Sequence, residues 1–93
     1  MNSEERDKER RKKLMLQAVQ DQLTSPETPE VKQHYDRLIS LGHSDSSARE
    51  LIATVLAFYI WHTMRKDDYT YQNYVAELER LPEIDWEEED DDA

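Results

Sequence analysis

The apolar positions of this chain fall at helical spacing. Met15, Val19 and Leu23 recur every four residues, with Leu14 and Leu16 beside them. Val31, Tyr35, Leu38 and Ile39 repeat at i, i+4, i+7 and i+8. Ala48, Leu51, Ile52, Val55 and Tyr59 form a third stripe, and Tyr71, Tyr74, Val75, Leu78 and Leu81 a fourth. No stretch alternates as a strand would. The spacing predicts helices over 3–23, 29–41, 45–65 and 71–81.

The residues between the stripes are helix punctuation. Pro26 and Pro29 stop the first helix, leaving a linker of Ser25 to Thr28. Thr28 is a candidate cap for the second helix, Pro29 suits its first position, and Glu30 suits the positive end of its dipole. Gly42, the only glycine, follows Leu41 where a left-handed C-cap belongs. Ser44 and Thr70 are candidate caps for the third and fourth helices, and Pro82 ends the last. The expected fold is all-α: three core helices over residues 28–82, an N-terminal helix and linker over 1–27, and a disordered acidic tail over 83–93. Short connections favour antiparallel neighbours.

Charge sharpens the division. The 93 residues carry a formal net charge of -10. Residues 83–93, EIDWEEEDDDA, hold eight acids and no base. Residues 1–13 hold six bases and four acids, with Glu4–Lys8, Asp7–Arg11 and Glu9–Lys13 in the favourable i, i+4 order. The first dozen residues have no apolar face and are expected to fray or extend free. The acidic excess therefore belongs to the tail, where like charges repel and resist packing.

Composition excludes several classes of chemistry. The absence of Cys removes disulfides, thiolate metal sites and thiol nucleophiles. One glycine cannot build a phosphate-binding loop. The acidic balance opposes direct nucleic-acid binding. The longest apolar run, Leu51–Trp61, makes a helix of about 16 Å, half a bilayer core, so no membrane association is expected. The charged N-terminus lacks an apolar signal-peptide run, and a cytoplasmic location is expected.

The segments ETPEVKQHYDRLISLGHSDSSARELIATVLAFYIWHTMR and YTYQNYVAELERLP resemble a bacterial family of small helical proteins with no assigned activity. The resemblance rests on a Tyr-x-x-Leu helix, Leu-x-x-Gly-His-Ser, Ala-Arg-x-Leu-Ile and a closing aromatic helix ending Leu-Pro. It implies an all-helical fold and a bacterial cytosolic setting, and carries over no catalytic residue. The chain departs from that pattern at Phe58 and Tyr59, where the family has acidic or small residues.

Candidate catalytic groups have simpler explanations. His34, His43 and His62 share no i, i+3 or i+4 spacing, so no metal or other cofactor is expected. Ser44, Ser46, Ser47, His43 and Asp45 can be drawn as a triad, but Ser and Asp at a helix start are capping residues. Asp67, Asp68 and the tail lack the spacing of a calcium loop. No enzyme activity is expected.

The aromatic residues suggest an interface instead. The third helix has more apolar surface than one neighbour can cover, and a three-helix core of 55 residues is marginal. A homodimer burying Leu51, Ile52, Val55, Phe58, Tyr59 and Trp61 would relieve both. Ile84 and Trp86 are candidate anchors by which the acidic tail meets a basic protein surface. The Lys8–Lys13 run is one such surface, in the same chain or a dimer partner. The expected function is a non-enzymatic, self-associating protein-protein interaction module. The alternative is an acidic nucleic-acid mimic or regulator that occupies a basic groove through its tail.

Overall fold

A computed structural model describes residues 3–66 and 68–83, with the backbone alone at Ser3 and Glu4. It contains four helices: α1 (Ser3–Thr24), α2 (Pro29–Ser40), α3 (Asp45–Met64) and α4 (Tyr71–Arg80). No strand occurs among the described residues. The tail from residue 84 onward, with Ile84 and Trp86, lies outside them.

Each boundary has a local cause. The turn after α1 is closed by Ser25 N–H on the Gln22 carbonyl at 3.2 Å. Thr28 does not cap α2 with its side chain. Its hydroxyl donates back to the Gln22 carbonyl at 3.0 Å, satisfying a carbonyl at the end of α1. Pro29 opens α2, where its missing N–H costs nothing. At the other end Gly42 has φ 105°. Its N–H meets the Ile39 carbonyl at 3.0 Å, and the His43 N–H meets that of Leu38 at 3.1 Å. This is the Schellman closure expected of a left-handed glycine.

Ser44 caps α3 by accepting from the Ser47 N–H at 3.1 Å. Thr70 and Asn73 form a reciprocal capping box on α4. Between them α3 closes through Lys66, which takes φ 64°.

One core joins all four helices. Val19 of α1, Val31 and Leu38 of α2, Ile52, Val55 and Leu56 of α3, and Tyr74 and Leu78 of α4 are buried together. Met15, Leu16, Ala18 and Leu23 of α1 pack on this cluster. The N-terminal helix is thus a wall of the core along its second half. Its first half, residues 5–14, is exposed.

The helices α2 and α3 form a central pair, each packed on both α1 and α4. No close backbone approach links α1 to α4, so these two flank the pair on opposite sides. Much of the surplus apolar surface of α3 is covered within the chain, by α1 on one side and α4 on the other, while Trp61 and Met64 stay exposed.

Candidate interaction surface

Three groups of side chains were open to a functional reading: the aromatic residues, the polar groups that tie the helices together, and the apolar surface left outside.

The aromatic group is an internal seam between α3 and α4. Tyr59 stacks on Tyr74 at 4.9 Å and 14°. Tyr69 stacks on His62 at 4.7 Å and meets Phe58 edge-on at 5.8 Å. The Tyr74 hydroxyl donates to Gln22 Oε1 at 2.7 Å, and that of Tyr71 to Glu30 Oε1 at 2.7 Å. Burial, followed by the Glu30 hydrogen bond, pushes the Tyr71 phenol up to about 12. The same hydrogen bond is the first cause holding the Glu30 carboxyl below its ordinary value. The Tyr69 hydroxyl is buried without a hydrogen-bond partner among the described residues.

The polar groups are structural ties. Asp45 Oδ1 accepts from Arg49 Nε at 2.7 Å and from the Tyr35 hydroxyl at 2.6 Å. Arg49 also donates to Gln20 Oε1 at 2.6 Å, so α1, α2 and α3 meet at one guanidinium. Arg49, then Tyr35, depresses the Asp45 carboxyl. Asp45 is turned toward these partners, and His43 Nδ1 instead lies 3.5 Å from Ser47 Oγ. On α2, Arg37 donates to the carbonyls of Leu81 at 2.9 Å and Leu78 at 3.0 Å, and to His34 Nδ1 at 3.2 Å. No group of three or more His, Asp or Glu with metal-binding geometry occurs among the described residues. None of the described helices is long and apolar enough to cross a membrane.

Within the expected interface set, the structure separates interior from surface. Ile52 and Val55 are in the core, 0% and 1% exposed. Leu51 and Tyr59 pack against it, and Phe58 belongs to the aromatic seam. Ile52 and Val55 are thus enclosed, while Leu51, Phe58 and Tyr59 are partly buried. Trp61 alone of the set is open, at 51% exposed.

The outer apolar surface gathers around that tryptophan. A groove of about 380 Å³ runs between α1 and α3. Its apolar walls are Leu14 and Met15 from α1 and Ala57, Ile60, Trp61 and Met64 from α3. Leu14 is 58% and Met64 75% exposed. Arg11 and Lys12 line its rim, and the Arg65 guanidinium lies over the Trp61 indole at 4.5 Å. A second concavity of about 480 Å³ lies round on the other face of α1, lined by Arg6, Arg10, Lys12, Lys13 and Leu16 together with Glu9.

The periodicity of the sequence does not single out Leu14 and Met64, since each sits at the margin of its stripe. Their signal is position: they are the apolar residues nearest the outer end of each helix. The chain matches no family model, no curated protein and no solved structure.

Proposed function

We propose that this chain is a non-enzymatic helical interaction module that self-associates through the α1–α3 groove. The observation that carries this reading is the cluster of Leu14, Trp61 and Met64, three large apolar side chains more than half exposed around one concavity. Contiguous apolar surface with a charged rim is the usual anatomy of a protein-binding site. Trp anchors are over-represented among residues that dominate such interfaces, and Met adapts its shape to a partner. The third helix contributes through its outer face at Trp61 and Met64, and Ile52 and Val55 support it from inside.

The test is sedimentation of the full chain over a micromolar range, beside the Leu14→Glu and Met64→Glu variants. Self-association that both variants weaken, with far-UV circular dichroism unchanged, supports the groove. Association that both variants leave intact rejects it.

A further inference from the structure

The groove has apolar walls and a basic rim, and the same chain carries a segment of complementary chemistry. Residues 84–93, IDWEEEDDDA, hold Ile84 and Trp86 followed by an unbroken acidic run, Glu87 to Asp92. Resting on the groove as the interaction surface, we infer that it binds the C-terminal segment of a second copy of this chain. Trp86 enters beside Leu14, Trp61 and Met64, and the acidic run meets Arg11 and Lys12 on the groove's rim.

Charge selects this occupant over a second groove laid face to face. Two copies of the groove laid together would bring the Arg11 and Lys12 rims toward each other, and like charges across an interface are repelled. An acidic segment is attracted by the same bases and steered toward them.

Reach selects the second copy over the chain's own tail. The chain leaves the described bundle at the end of α4, where Arg37 of α2 holds the Leu78 and Leu81 carbonyls. Tyr74 of α4 is level with Tyr59 of α3, and Tyr69 is level with His62, so α4 runs antiparallel to α3. Leu81, seven residues past Tyr74, therefore lies toward the start of α3, while Trp61 lies the other way. Nine residues of helical rise separate the two levels by about 14 Å along the axis alone. The groove is also on the α1 side of α3, opposite α4. Trp86 is five residues beyond Leu81 and can lie no more than about 17 Å from it. Its own groove, about 14 Å away along the axis and across α3 as well, asks for a fully taut chain, whereas a partner's groove carries no such constraint.

The test mixes equal amounts of light and heavy isotope-labelled full chain and treats them with a carbodiimide, which joins lysine amines to carboxylates in contact. The expected products are mixed-isotope pairs linking Lys12 to residues 87–92. The full-length Trp86→Ala variant should lose most of them and dissociate about thirtyfold more readily in sedimentation, the effect of a strong interface anchor. Tail crosslinks of a single isotope only would overturn the inference in favour of the chain's own tail. Trp86→Ala associating as tightly as the parent, while Leu14→Glu does not, would overturn it in favour of face-to-face pairing and leave the groove reading standing. If Leu14→Glu also associates normally, the groove reading itself falls.

Discussion

Arg37 joins the middle of α2 to the end of α4. Its guanidinium donates to the carbonyls of Leu78 and Leu81 at the C-terminus of α4, where the Leu78 carbonyl also takes the Leu81 N–H at 3.1 Å. Replacing it with Met keeps the aliphatic packing, removes this donor from the Leu81 carbonyl and leaves the Leu78 carbonyl with the Leu81 N–H alone. The expected loss is about 2 kcal/mol, read as a lower urea midpoint with unchanged slope. Lys should not restore it, because a single ammonium cannot span both acceptors. Burial, then the Arg37 charge, pushes the His34 imidazole below its ordinary value, with Glu79 and Glu30 opposing. The unfolded chain then binds a proton more readily than the folded one. This contribution to stability is complete above about pH 6.5 and declines as pH falls below it, through the folded value. His34→Gln should flatten that part of the urea-midpoint profile relative to the parent; an identical slope would assign the pH dependence elsewhere. Two tyrosines make an opposed pair. Tyr69→Phe removes a buried hydroxyl without a partner among the described residues and should be neutral or stabilising by up to about 1 kcal/mol. Tyr74→Phe leaves Gln22 Oε1 without its donor and should cost about 1 kcal/mol.

Element boundaries were legible to within one residue wherever a residue type is tied to one geometry. Gly42 announces a left-handed cap, Pro29 a first turn, and Ser44 and Thr70 the N-caps the structure shows. Thr28 was misread because a threonine before a proline-led helix caps in many contexts. Here its hydroxyl turns back to the Gln22 carbonyl, which also takes the Ser25 N–H, a preference that helical spacing does not encode. Lys66 left no sign at all, since its left-handed φ of 64° is borne by a residue that does not advertise it. These positions predict opposite signs. Gly42→Ala has room for its methyl, with nothing within 4 Å, so its cost of about 1 kcal/mol comes from the backbone alone. Lys66→Gly relieves the same conformation and should raise stability by up to about 1 kcal/mol, or a few degrees in Tm. If thermal melts shift both variants in the same direction, backbone conformation is not what separates them.

At the scale of the molecule, periodicity identified four helices and most of the core, but it could not say which faces meet. The apolar surplus on α3 is therefore readable in the sequence either as a dimer interface or as a wall for another helix. The structure supplies that wall from α1. Val19 is fully buried, Met15, Leu16, Ala18 and Leu23 pack beside it, and Gln20 and Gln22 hydrogen-bond to Arg49 and Tyr74. Removing residues 1–27 would expose the α1-facing side of α3, including Ala53, and deprive two polar side chains of their acceptors. A chain of this size keeps only a narrow margin over its conformational entropy, and losing one wall of a single core exceeds it. The fragment 28–93 should therefore show weak far-UV helicity and no cooperative melt, whereas Val19→Ala in the full chain should fold with a loss of about 1–3 kcal/mol. A cooperative transition in the fragment would instead make α2–α4 an autonomous domain and α1 an accessory helix. The two outcomes also bear on the groove. If α1 is integral to the fold, Leu14 and Met15 are held in fixed register against Trp61 and Met64, and the binding surface is preformed; if it is accessory, that surface exists only while α1 is docked.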